Sequence, residues 1–314
     1  MGRPLVFVGH VSMDIVETPR GRSFQPGGAA LYAALAARTI YDDVRLATAI
    51  GRDYEFLEVL KFFPMSGIKR YDMPSTRFHI RYDDNWNAHY LEARLGAGAR
   101  IGVKAIPDLW LTGDVLVHIA PMRPTKVLRM IRHIRARSPG ATISVNTWEG
   151  YMKEGRKVRE AIRQVAKEAD FFILNDAEAR ALTGVRSLAH AVELLEARTL
   201  VITLGELGAI ISSEELGIQM VPALRVPGGE VVDTTGAGDS WCGAFMATYA
   251  STGDVMKAVA VASIIASLKC QGWGPSRLLE LHFRSPDEVI EYVMSMRDGF
   301  RQRKLTDFLG AGRA

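Results

Sequence analysis

Cysteine is scarce in this chain: 314 residues contain two, Cys242 and Cys270. Such a pair makes neither a disulfide framework nor a zinc-ligand spacing. Long apolar runs are missing too, and no stretch approaches the roughly 20 apolar residues that a membrane span requires. The opening segment MGRPLVFVGHVSMDIVE has an apolar run too short for a signal core and meets Asp14 early. Nor is there a large excess of one charge. The formal net charge is +4, and basic residues such as Arg132, Arg135 and Arg137 read as solvated helix faces. That balance suits an anionic small molecule and does not call for nucleic acid. These deficits together predict a cytoplasmic protein with neither membrane nor nucleic-acid partners. Its apolar content of 48% is enough for one large α/β core.

What is present is an alternation. Strand-length apolar runs (PLVFVGHV, VRLATAI, VLVHIAP, TISVNT, FFILN, LVITLG, GAIIS) are separated by segments of helical period. In PTKVLRMIRHIRARS, Val127, Met130, Ile131 and Ile134 share one face; in GRKVREAIRQVAKEAD, Val158, Ala161, Ile162 and Val165 do. Buried strands alternating with amphipathic helices predict a mostly parallel sheet covered on both sides, with ligands at the carboxyl ends of its strands. One region departs from this rhythm. STRFHIRYDDNWNAHYLEARL alternates Phe78, Ile80 and Tyr82 with His79 and Arg81 before a turn, the pattern of a β-hairpin. Such a hairpin, extended by ETPRGRSFQP, could cover a pocket, with Arg77, His79, Arg81 and His89 as candidate ligand contacts. The tail after Gly299 reads as loosely attached.

The stretch VVDTTGAGDSWCGAFMATYA passes from a strand through a knot of small residues into a helix that begins near Thr235 or Gly236 and stops at Gly253. Amides in the first turn of a helix have no intrahelical partner. Small side chains there let an anion approach, and the helix dipole favours negative charge. Asp239 stands at the edge of that hole. The dipole is worth about 0.3–1 kcal/mol and gives no reason for a raised pKa, so the carboxylate is expected to be ionised and able to accept a proton from an attacking hydroxyl. Asp233, before the loop, would bind water, a cation or neighbouring hydroxyls.

Asp233-Thr234-Thr235-Gly236-Ala237-Gly238-Asp239 closely resembles the C-terminal signature of the PfkB (ribokinase-like) carbohydrate kinase family. The resemblance implies a ribokinase-like three-layer α/β sandwich with a mostly parallel central sheet and a small β lid. The core would comprise residues 1–16, 36–74 and 97–314, and the lid residues 17–35 and 75–96. It implies an ATP-dependent kinase acting on a hydroxyl of a small sugar or polyol. Asp239 would be the catalytic base and the Gly236, Ala237 and Gly238 backbone the anion hole. VGHVSMDIV resembles the family's first strand, whose final aspartate, here Asp14, holds substrate hydroxyls. QPGGAALYAALA resembles the Gly-Gly substrate loop, here Gly27 and Gly28. ILNDAEARALTG supplies Asn175 for the nucleotide and Glu178 for Mg2+ through water, although the same two residues also have the spacing of a helix cap. VITLGELGAII resembles the nucleotide loop, with Thr203, Gly205 and Gly208 near ATP, and Gly238 contributes to the same nucleotide.

Two departures bear on substrate choice. Tyr32 stands where the family often has asparagine, and Asn146 where many relatives have aspartate. The alternative reading is a nucleoside kinase, with Tyr32, Trp86 or Trp148 stacking on a base. A non-catalytic sugar or nucleotide sensor is more distant, because it predicts loss of the base while Asp239 is present. A dinucleotide dehydrogenase would need Gly-x-Gly-x-x-Gly after the first strand, which VGHVSMD lacks. The implied cofactors are ATP and Mg2+, with a monovalent cation as a further candidate. Exposed hairpin edges suit a homodimer formed through the lid.

Overall fold

Leu5 and Phe7 point to one side of the first strand and Val6 and Val8 to the other, each pair entering a different apolar cluster. This two-sided burial follows from the period of two along a strand and sets the architecture. In the computed structural model, which describes residues 2–224, 226–227 and 229–296, the strands are β1 (Leu5–Val8), β2 (Ser12–Thr18), β3 (Gly21–Gly27), β4 (Val44–Gly51), β5 (Ile68–Tyr71), β6 (Thr76–Tyr82), β7 (Ala88–Arg94), β8 (Leu116–Ile119), β9 (Thr142–Asn146), β10 (Phe171–Asn175), β11 (Thr199–Thr203), β12 (Gly208–Ser213) and β13 (Gly217–Pro222). The helices are α1 (Ala29–Arg38), α2 (Leu57–Leu60), α3 (Pro124–Arg137), α4 (Glu149–Met152), α5 (Arg156–Glu168), α6 (Asp176–Thr183), α7 (Leu188–Leu194), α8 (Ala237–Thr252), α9 (Val255–Lys269) and α10 (Ser276–Glu280), and residues 286–296 are helical as well.

A nine-stranded sheet runs β13-β12-β11-β10-β9-β8-β1-β4-β5. Its strands pair parallel from β11 to β5, and only β12 and β13 are antiparallel. Helices α1, α8 and α9 cover one face, and α3, α5, α6 and α7 the other. On α3, Val127, Met130, Ile131 and Ile134 are all buried, as their spacing predicts. A four-stranded sheet, β3-β2-β6-β7, forms the lid. The expected three-layer fold is therefore present.

The expected boundaries need correction. The run PLVFVGHV is broken after Val8, and the chain re-enters extended structure as β2, which belongs to the lid sheet from Ser12 onward. Helix α1, placed in the lid as far as residue 35, is buried in the main core. β5 is short and carries the exposed Lys69 and Arg70 at the sheet edge, so the apolar-run criterion passes over it.

Helices α1 and α8 cross closely at Gly243. A Cβ built on Gly243 of α8 would fall 1.9 Å from the carbonyl oxygen of Ala33 on α1. Gly243→Ala is expected to destabilise the fold by about 1–3 kcal/mol through overpacking, read as a lower denaturant midpoint with an unchanged m-value.

Candidate active site

The carboxyl ends of the parallel strands converge on one cavity of about 570 Å³. His10 follows β1, Arg123 follows β8, and Asn146, Asn175 and Thr203 close β9, β10 and β11; all five line it. The lid contributes Phe78, Ile80, Tyr82 and Tyr90, and the stretch from Thr234 to Asp239 forms another wall.

That stretch is held open by specific bonds. Thr235 N–H donates to Asp233 Oδ1 at 2.8 Å. Gly236 then caps α8 with φ 73°, a left-handed conformation that suits glycine, and a Cβ there would lie 2.2 Å from the Tyr32 ring. Ala237 N–H donates to Thr234 O at 3.1 Å and Ser240 N–H to Gly236 O at 2.8 Å. Among the described residues, the amides of Gly236, Gly238 and Asp239 have no hydrogen-bond acceptor. The unpaired set is thus shifted from the expected Gly236-Ala237-Gly238: Ala237's amide is consumed by the turn, and Asp239's own amide is free.

Asp239 is half-buried, and Asn146 Nδ2 donates to its Oδ1 at 3.0 Å. Desolvation pushes its pKa up to about 6, with Asn146 opposing the rise. The expectation drawn from the helix dipole alone omitted this enclosure. Asp14 lies on β2 in the lid sheet, not at the end of the first strand, opposite Gln25 and Phe78. It is 1% exposed, its Oδ1 has no partner, and burial followed by the charge of Asp233 raises its pKa to about 7. A Cβ on Gly27 would fall 1.8 Å from Asp14 Oδ2, so this glycine makes room for the carboxylate, and the cavity is lined by Gly28 rather than Gly27.

Asn175 and Glu178 form a reciprocal cap on α6: Asn175 Oδ1 accepts Glu178 N–H at 2.8 Å and Glu178 Oε2 accepts Asn175 N–H at 2.9 Å. Both also line the cavity. Burial, then the like charge of Asp239, raises the Glu178 pKa to about 8. Two acids that repel across a cavity fit a divalent cation bringing most of its ligands as phosphate and water. Among the described residues, no group of three or more His, Cys, Asp or Glu could hold a metal unaided.

Other expected residues fall elsewhere. Thr203 lines the cavity, but Gly205 and Gly208 do not. A Cβ on Gly208 would fall 2.0 Å from Val221 O, so that glycine serves the β12–β13 pairing. Tyr32 does line the cavity, but it is 1% exposed, packed beneath Gly236 and faced by Lys269, so it is not free to stack on a base. Arg77, His79, Arg81 and His89 bond instead to Asp53, Glu17, Glu17 and Asp83 at 3.0, 2.9, 2.7 and 3.5 Å, and none lines the cavity. The alternation explains this: Phe78, Ile80 and Tyr82 occupy the opposite face of β6. Trp86 sits in the hairpin turn, outside the lining. His10 was not singled out by its sequence. It is 8% exposed with Nδ1 unpartnered, and burial lowers its pKa to about 4.

Residues 124–280 match the family model described as pfkB family carbohydrate kinase. A cytidine kinase from Thermococcus kodakarensis is 31% identical over 254 residues, covering 78% of this chain and 88% of the relative. The chain belongs to the pfkB family. A ribokinase from Bacillus subtilis is 26% identical, covering 87% of this chain and 94% of the relative. Among solved structures, the Burkholderia thailandensis nucleoside kinase in complex with inosine superposes with a TM-score of 0.75 at 19% identity, covering 93% of this chain and 96% of the other. That likeness shows the shared fold. As a pfkB kinase, the protein is an ATP-dependent phosphotransferase with an alcohol group as acceptor. No helix among the described residues is long and apolar enough to cross a membrane.

The raised carboxyl pKa values have a consequence for the free protein. A group whose pKa is higher in the fold than near 4 in the unfolded chain stabilises the fold at low pH, and that contribution is lost as pH rises through the folded value. For Asp239, Asp14 and Glu178 the window ends near pH 6, 7 and 8. The melting temperature of the unliganded protein is expected to fall between pH 5 and 8.5, and Asp14→Asn to flatten the fall, read by differential scanning fluorimetry across that range.

Proposed function

We propose that the protein transfers the γ-phosphoryl group of ATP to a hydroxyl of a nucleoside. The observation that carries this reading is an aromatic chain through the cavity wall. Phe78 and Tyr90 of the lid meet edge-to-face at 6.0 Å, Tyr90 meets Trp148 of the core at 5.6 Å, and Trp148 meets Tyr151 at 5.4 Å. All four residues line the cavity. A free sugar or polyol is bound chiefly by hydrogen-bonding groups, whereas a base offers a π-face to such rings, worth about 1–3 kcal/mol per base. The cytidine kinase relative supports the same reading. Nucleoside therefore replaces sugar or polyol as the preferred acceptor.

In this reading Asp14, with its unpartnered Oδ1, orients the acceptor's hydroxyls. Asp239 takes the proton of the attacking hydroxyl, and the amides of Gly236, Gly238 and Asp239 face the negative oxygens of the transferring group. Asn146 keeps one oxygen of Asp239 fixed without adding negative charge. Mg2+, when bound near Glu178 and Asn175, neutralises phosphate charge. Phe78, Ile80, Tyr82 and Tyr90 cover the cavity and exclude water, the competing acceptor.

Five measurements test this. In an ADP-release screen across nucleosides, pentoses, hexoses and inositols, a nucleoside is expected to give the highest kcat/KM. A free sugar or polyol in first place would overturn the nucleoside assignment. Trp148→Ala should raise the nucleoside KM about 10-fold or more, as expected for loss of a stacked base, with little effect on any residual activity toward free ribose. Asp239→Asn should lower kcat by about 10²–10⁴, the range for a lost general base, while ADP affinity by calorimetry stays within a few-fold. In the parent enzyme kcat/KM should rise with pH through an inflection near 6, because the base must be ionised. Asn146→Asp should move that inflection upward, since a like charge disfavours ionisation.

A further inference from the structure

Lys269, the last residue of α9, is buried to 0% exposure, and so is its partner Asp233. Its Nζ donates to the Asp233 carbonyl oxygen at 2.7 Å, lies 3.5 Å from Asp233 Oδ2 and stands 5.2 Å above the centroid of the Tyr32 ring. The ammonium thus donates to a carbonyl, is paired with a carboxylate and lies over an aromatic ring. Asp233 Oδ2 also accepts from Gln25 Nε2 and Gly274 N–H, each at 2.9 Å, and Oδ1 accepts from Thr235 N–H at 2.8 Å. The next residue, Gly236, rests on the ring that the ammonium faces from 5.2 Å. The place beside Asp233 where the sequence suggested water, a cation or hydroxyls is thus occupied by the protein's own ammonium.

We propose that Lys269 is the resident cation of the phosphoryl-binding loop. It positions the free amides of Gly236, Gly238 and Asp239 and makes phosphoryl transfer independent of added K+ or Na+. Lys269 is a positioning residue, since it acts through Asp233 and Tyr32 and does not line the cavity. The proposal rests on the loop's role in phosphoryl transfer and is indifferent to which acceptor is used.

The first test uses the unmodified enzyme with ATP, Mg2+ and the best acceptor from the screen, at constant ionic strength. Its kcat in tetramethylammonium chloride is expected to match that in KCl or NaCl within two-fold. A drop of ten-fold or more without K+ and Na+ overturns the proposal, whichever acceptor is in use. The second test uses Lys269→Ala, with folding checked by circular dichroism. Its kcat should fall at least 10²-fold with a smaller change in the KM for ATP, and should recover in saturable fashion with added ammonium or methylammonium. A folded Lys269→Ala protein whose kcat is unchanged, or whose lost kcat is not restored by either cation, shows a lysine that merely stabilises the fold and overturns the proposal. If the variant does not fold, the cation dependence of the parent enzyme decides.

Discussion

The site depends on one buried carboxylate that never reaches the cavity. Asp233 has no solvent exposure and collects a side-chain amide from β3, an ammonium from α9 and two backbone amides from the loops on either side. Each of these comes from a different part of the chain. The lid sheet, helix α9 and the loop before α8 are therefore tied at one point. A buried ion is costly unless its lone pairs are matched, and here two charged groups and three neutral donors are brought together. Removing any one of them leaves a charge or a polar group without compensation, so the geometry of the turn before α8 is fixed by the same bonds that tie it to β3 and α9.

Around the cavity the electrostatics run the other way. Asp14, Glu178 and Asp239 are enclosed with little cationic compensation, and each is pushed toward its protonated form. Such a site is unfavourable to the free protein and suited to a ligand set that brings cations and hydroxyl donors. Asn146 tempers the effect at Asp239: an amide donates to the carboxylate where an aspartate would repel it. The burden of negative charge is concentrated where phosphates, metal and acceptor would meet, while the charges on the outer face of the lid are paired with one another and with Asp53 of the core.

Much of this was legible in the residues. Apolar runs marked most strands of the large sheet because strands buried on both faces need no polar alternation, and the Asp233–Asp239 signature marked the turn at the start of α8. The hairpin showed itself by alternation, which puts Arg77, His79 and Arg81 on one face of β6 and Phe78, Ile80 and Tyr82 on the other, but alternation alone does not say which face meets the cavity. Three features could not be read from local pattern. The break at Gly9 that sends Asp14 into the lid sheet is decided by pairing with β3 and β6. The pKa of Asp239 is set by enclosure, which requires the tertiary fold. The partnership of Lys269 with Asp233 spans 36 positions and leaves no periodic trace.

The placement of Asp14 has one more implication. It stands on the four-stranded sheet, whereas Asp239 stands on a helix of the main body. A molecule touching both acids must bridge two independently built surfaces, so the cleft works as a caliper. In the nucleoside reading proposed above, reach as well as chemical identity would then select the oxygen offered to the phosphate.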